Sequence, residues 1–122
     1  MSQLKNQPFG VRLRFALAGL AHALRTERSL RTQLAALLVA CIVLLRLRPE
    51  PLWWALVALA AGGVLAAELF NTALERLADH LHPQVHEGIR IAKDCAAGAV
   101  LLASLAALGV GAALAVHLWS RA

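Results

Sequence analysis

Residues 52–67 read LWWALVALAAGGVLAA, an apolar stretch with no charged or amide side chain. Two more segments are comparably apolar: Leu34 to Leu45 inside LRTQLAALLVACIVLLRL, and the Ala/Leu/Gly-rich run from about Ala92 to Trp119, charged only at Lys93 and Asp94 in its first turn. Composition agrees, with 60% hydrophobic residues, 16% charged and a mean hydropathy of +0.66. Soluble domains run at about 45–50% apolar and about 25% charged. In hydrocarbon each backbone polar group must be satisfied internally, which leaves helices or a closed barrel. Abundant Ala and Leu, few aromatics and no Tyr select helices. The expected fold is an all-α membrane protein with one domain over residues 1–122. It would comprise a surface helix at about 9–27 and spans at about 30–47, 52–74 and 95–119.

The surface helix follows from FGVRLRFALAGLAHALRTERS, where Phe9, Leu13, Leu17, Leu20 and Leu24 share one side. Arg12, Arg14, His22 and Arg25 fall elsewhere, the pattern of a helix lying in the headgroup region. The first span is short, but Arg31, Arg46 and Arg48 can snorkel from its ends. Pro49 and Pro51 in RPEP predict a turn that stops helix on either side. HLHPQVHEGIR reads as a polar loop broken by Pro83 and Gly88. Trp53, Trp54 and Trp119 suit interfacial belts.

Net charge is +5. In so apolar a chain the excess fits anionic headgroups and positive-inside bias, and nucleic acid is not an expected partner. Lys5, Arg12, Arg14, Arg25, Arg28 and Arg31 precede the first span, and Arg76, Arg90 and Lys93 flank the 80s loop. Only Arg46, Arg48 and Arg121 remain for the other side. The N-terminus is therefore expected in the cytoplasm and the C-terminus outside. Cys41 and Cys95 lie in different segments and are not expected to pair. Small residues recur at Ala99, Ala103, Ala107, Gly111 and Ala115, a row that suits helix association between copies.

One feature conflicts with a purely structural membrane protein. AELFNTALERLADH, at 67–80, places Glu68, Asn71, Glu75 and Asp79 three, four and four residues apart. That spacing forms one polar stripe along a helix. A carboxylate at the bilayer centre costs at least ~2.5–3.5 kcal/mol, less near an interface. Three readings account for the stripe: a helix end solvated by acids, an ion or proton pathway, or a metal-dependent enzyme at the interface. Lys93 in IAKDC and Glu27 in RTERSLR, with Arg25, Arg28 and Arg31, belong to the same membrane face. Carboxylates, Mg²⁺ and a lysine together make a phosphate site, so phosphoryl transfer is favoured over a conduit. No GxxxxGK[ST] is present and GVG at 109–111 lacks a Rossmann third glycine, so any nucleotide site is unconventional.

ERSLRTQ (27–33), AELFNTALERLAD (67–79), HPQVHE (82–87) and IAKDCAAGAVLL (91–102) resemble the small bacterial integral-membrane diacylglycerol kinases, which include undecaprenol kinases. The resemblance runs over about residues 9–115. It implies an ATP- and Mg²⁺-dependent lipid kinase of the bacterial inner membrane, a homotrimer of three-span protomers with shared sites. Its reaction would convert diacylglycerol to phosphatidic acid, a step of phospholipid biosynthesis, with undecaprenol as the alternative substrate. A conduit lined by Glu68, Asn71 and Glu75 is the alternative from another class.

Matched position by position, the resemblance implies Glu68 as general base toward the lipid hydroxyl, with Asn71 supporting the catalytic arrangement. Glu27 and Glu75 match the carboxylates that hold Mg²⁺ on ATP. His86, Lys93 and Asp94 match nucleotide contacts, Arg31 would shape the lipid entrance, and Asp79 belongs to the pattern without an assigned role. Gln33 stands where many family members have a second acid, Phe15 where some carry Tyr, Gln84 for an acid and Val85 for an aromatic. Nucleotide roles are accordingly not carried to residues 15, 84 and 85. IAKDCAAGAVLL is as close to the undecaprenol-kinase form as to the diacylglycerol form, which keeps both lipids open.

Overall fold

The computed structural model describes residues 6–122 as four helices, with Lys5 of the charge asymmetry outside the described residues. They are α1 (Phe9–Thr26), α2 (Arg28–Leu47), α3 (Pro51–Leu81) and α4 (Glu87–Arg121). The last three are each long and apolar enough to cross a membrane. At 1.5 Å per residue, the 31 residues of α3 extend about 46 Å and the 35 of α4 about 52 Å. Both exceed a hydrocarbon core of ~30 Å, so each carries polar turns beyond it without breaking helix.

A single extended residue, Glu27, separates α1 from α2 at φ −106° and ψ 112°. The backbone ladder continues through this elbow: the Glu27 amide donates to the Ala23 carbonyl at 2.7 Å, and the Glu27 carbonyl accepts from Arg31 at 3.3 Å. Arg31 Nη1 donates to the carbonyls of Leu24 and Arg25 at 3.0 and 2.9 Å. Those are carbonyls that the end of α1 would otherwise leave unpaired, and the cation also opposes the helix dipole there.

At the other end of α2, Arg48 adopts the left-handed conformation (φ 47°, ψ 57°) and its amide closes on Leu44 at 2.9 Å. Pro51 then stands in the first turn of α3, where a missing N–H costs nothing, so it starts the helix. The α3–α4 loop is shorter than expected. Only residues 82–86 lie outside helix, and Gly88 does not interrupt it. The His86 ring accepts from the Gly88 amide at 3.0 Å, capping α4 and drawing the glycine into its first turn.

Packing is densest between α3 and α4, with α2 against α3 and α1 at the elbow. The core is thin, formed by Ala23, Leu30, Leu44, Val64 and Leu114. The apolar side of α1 stays open, with Phe9, Leu13, Leu17 and Leu20 all exposed. On α3 the usual order is inverted, since Phe70 is 77% exposed while Glu68 is only 7% exposed. An apolar outside with a polar inside suits a hydrocarbon surrounding. A Cβ built on Gly111 meets nothing within 4 Å, so a close approach at that point of the small-residue row is not used within one chain. Cys41 and Cys95 are both free.

Candidate active site

The stripe of α3 runs from buried Glu68 through half-buried Asn71 and Glu75 to exposed Asp79, and each of its carboxylates has a partner from this chain. Glu68 is clasped from α2: Ser29 Oγ donates to Oε1 at 2.6 Å and Gln33 Nε2 to Oε2 at 3.1 Å. Ser29 and Gln33 are four residues apart and so share one face of α2. One turn along α3, Asn71 Nδ2 donates to Glu75 Oε1 at 3.3 Å. Toward the helix end, Asp79 is paired with Lys93 of α4. Glu68 to Asp79 spans about 16 Å of helix axis.

Arg76 fastens the elbow to the same level of α3. It meets Glu27 Oε1 at 3.0 Å and Thr26 Oγ1 at 2.7 Å, and reaches His22 Nε2 at 3.1 Å. Arginine only donates, so His22 Nε2 is the acceptor in that contact. Beyond Asp79 lies a cavity of about 200 Å³, whose lining includes Asp79, His82, His86, Arg90 and Lys93. Its two permanent cations are both paired within the chain, Lys93 with Asp79 and Arg90 with Glu87 and Asp94.

The structure therefore gathers Glu68, Asn71, Glu75 and Asp79 with Glu27 and Lys93 at the elbow end, and sets His86 in the same cavity as Lys93. Two nominated residues are engaged elsewhere: Asp94 pairs with Arg90 at 2.9 Å, and Arg31 serves the α1 carbonyls. Glu27 and Glu75 are hard oxygen donors, and Asn71 Oδ1 is buried without a partner. Among the described residues no three acidic, His or Cys side chains converge as a metal cage. Mg²⁺ does not require one, since it is commonly held by one or two carboxylates with waters and phosphates. The donor set fits such a site.

Ser29, Arg76 and Arg90 were not singled out by sequence reasoning, and Gln33 was noted only as a missing acid. Their signal lies in spacing: Ser29 and Gln33 at i and i+4 on α2, Arg76 beside Glu75, and Arg90 four residues before Asp94.

The sequence model of the prokaryotic diacylglycerol kinases matches residues 14–115. The chain belongs to that family. It is 44% identical over 107 residues to a diacylglycerol kinase of Synechocystis sp., covering 85% of this chain and 60% of that protein. It is 33% identical over 96 residues to an undecaprenol kinase of Bacillus subtilis, covering 76% of each. The chain thus spans less than two thirds of its cyanobacterial relative. For a member of the prokaryotic diacylglycerol kinase family, the three apolar helices mark a multi-pass membrane protein.

Proposed function

We propose that the protein is an ATP- and Mg²⁺-dependent lipid kinase that phosphorylates diacylglycerol to phosphatidic acid at the inner, cytoplasmic face of the bacterial membrane. The observation that carries this reading is Glu68: a carboxylate buried among apolar helices whose hydrogen-bond partners, Ser29 and Gln33, are both neutral. Without a bound cation it remains available to take a proton. Glu68 accepts the proton of the lipid's primary hydroxyl as that oxygen attacks the γ-phosphorus of ATP. The new O–P bond forms as the bond to the bridging β–γ oxygen breaks, and ADP leaves. Positioning and charge neutralisation carry most of such a transfer.

Glu27 and Glu75 would hold Mg²⁺, which when bound neutralises charge on the ATP phosphates, and Asn71 supports the arrangement by donating to Glu75. Lys93, released from Asp79, meets phosphate in the adjoining cavity, with His86 beside it and Asp94 closing the nucleotide side. Arg31 fixes the elbow through which the lipid alcohol reaches the site. The exposed apolar stripe of α1 lies in the headgroup region, and three copies share the sites. Similarity to the Bacillus subtilis undecaprenol kinase supports a second substrate reading, transfer to undecaprenol by the same chemistry.

Purified protein in mixed micelles, given radiolabelled ATP, Mg²⁺ and each lipid in turn, tests the reading. Label is expected in phosphatidic acid. Label only in polyprenyl phosphate moves the assignment to undecaprenol, and label in neither overturns the kinase reading. ATP-independent proton or ion flux in vesicles would instead reveal a conduit.

A further inference from the structure

His86 ends the α3–α4 loop with its ring already committed. Its backbone is extended (φ −139°, ψ 135°), its carbonyl accepts from the Arg90 amide at 2.9 Å, and its Nδ1 accepts from the Gly88 amide at 3.0 Å. A backbone amide only donates, so Nδ1 carries no hydrogen and the neutral ring holds its proton on Nε2. His82 is set the opposite way. Its Nδ1 lies 2.9 Å from the Gln84 carbonyl, which only accepts, so that ring is protonated at Nδ1. The two rings meet edge-on at 5.3 Å between centroids. Gly88 completes the arrangement, because a Cβ there would stand 3.3 Å from both Cε1 and Nδ1 of the His86 ring. A residue that disfavours helix thus occupies the first turn of α4, where the ring needs the room.

Charging the two rings has different consequences. A second proton on His82 enters at Nε2 and leaves the bond to Gln84 intact. On His86 it enters at Nδ1, the atom that holds Gly88, and it sets a positive ring at the positive end of the α4 dipole. The other ionisable groups around His86 are Asp79 from α3 and Arg90 and Lys93 from α4, which line the same cavity with His82, and Glu87 beside it in the chain. Of these residue types only histidine ordinarily changes charge between about pH 5 and 8.

We propose that His86 is a positioning residue whose neutral ring locks the start of α4 and whose protonation unlocks it. The first turn then frays, and the alignment of Arg90 and Lys93 along the cavity wall loosens with it. The lock is a property of the fold, and its effect on nucleotide rests on the kinase reading.

NMR of the isotope-labelled full-length protein in detergent micelles tests the lock directly. Long-range nitrogen–proton spectra of the neutral rings should show the His86 proton on Nε2 and the His82 proton on Nδ1. Exchange of the Gly88 amide, relative to its intrinsic rate, should quicken about fivefold as the His86 ring titrates, the weight of a typical cap. His86→Asn, a cap with no charge to gain, should keep Gly88 protected throughout, and His86→Ala should leave it unprotected throughout. His82→Gln should leave the response in place. In micelle kinetics with lipid and Mg·ATP varied independently, acid should raise the KM for Mg·ATP more steeply in the unaltered protein than in His86→Asn. The titration of ATP itself is common to both, and the lipid KM should not separate them.

The proposal is overturned if the neutral His86 ring carries its proton on Nδ1, or if Gly88 exchange ignores the ring's titration. It is also overturned if His86→Asn keeps the pH response or His82→Gln abolishes it. Equal steepness in the KM for Mg·ATP removes the positioning role. Failure of the kinase reading looks different: the unaltered protein then phosphorylates neither lipid, while ring spectra and exchange still decide the lock.

Discussion

The two ends of the bundle both carry ionisable residues, but they are built differently. At the elbow end, Glu27, Glu68, Glu75, Asp79 and Asp94 each meet a donor at 3.3 Å or less. The partners come from neighbouring helices as well as the same helix. At the opposite end, Glu50 lies 3.9 Å from His117 Nε2, and the His117 ring leans on Trp53 at 5.3 Å between centroids. The unpartnered atoms differ too. Near the elbow they are amide oxygens facing inward from paired carboxylates, and at the far end the unpartnered atom is His117 Nε2. Both ends need polar groups at the water boundary. Only one has spent helix after helix on orienting them, and that difference separates a site from a helix terminus.

If that contrast is functional, the largest effect follows from Glu68→Gln, which keeps the shape but removes the base and turns one of the two acceptors used by Ser29 and Gln33 into a donor. Lipid phosphorylation should fall by roughly 10²–10⁴-fold, with Mg·ATP binding retained by calorimetry. Near-normal turnover in that variant would mean the buried carboxylate is only structural. Glu75→Gln comes next. Loss of an oxygen ligand should cost at least the ~10–100-fold in metal affinity seen when groups supporting a ligand are removed. The readout is the Mg²⁺ concentration for half-maximal rate, and an unchanged value would remove Glu75 from the metal set.

The sequence made the stripe legible because its period matches a helix, and the three apolar helices because lipid demands long uninterrupted runs. It was less informative wherever one side chain decides the local geometry. Gly88 looked like a breaker, but the His86 ring caps α4 and pulls it into helix. Pro51 bounds the expected RPEP turn and also occupies the first turn of α3, where its missing N–H costs nothing. Gln33 read as the absence of an acid, and only the α2–α3 packing turns it into the amide that clasps Glu68. Arg76 looked like one more surface cation, although three residues of α1 and the elbow converge on it. Interhelical pairing of this kind has no periodicity to read.

Arg76 gives a smaller test on the same side of the comparison. It occupies the Glu27 carboxylate that metal would need. Arg76→Ala should therefore lower the Mg²⁺ concentration for half-maximal rate, while loosening the elbow by no more than about 1 kcal/mol, as for a partly exposed pair. A higher Mg²⁺ requirement would instead assign Arg76 to supporting the site. Far from the elbow, Arg48 sits in the left-handed region with a Cβ. Arg48→Gly relieves that contact and should raise the unfolding free energy by about 0.5–1 kcal/mol without changing turnover.

The smallest effect is expected at the Glu50–His117 contact, and it bears most directly on the contrast between the ends. Glu50 is largely exposed at 71%, and the pair is ionic only when the histidine is protonated. Exposed ion pairs contribute about 0–1 kcal/mol even at good geometry, and 3.9 Å is long. Glu50→Gln should therefore change unfolding by less than about 0.5 kcal/mol and leave both KM values and kcat where they were. Assays across pH would expose any dependence on the histidine's charge. If kcat falls severalfold, the far end is coupled to the reaction through α3 and α4, and the bundle works as one lever instead of one site on a scaffold.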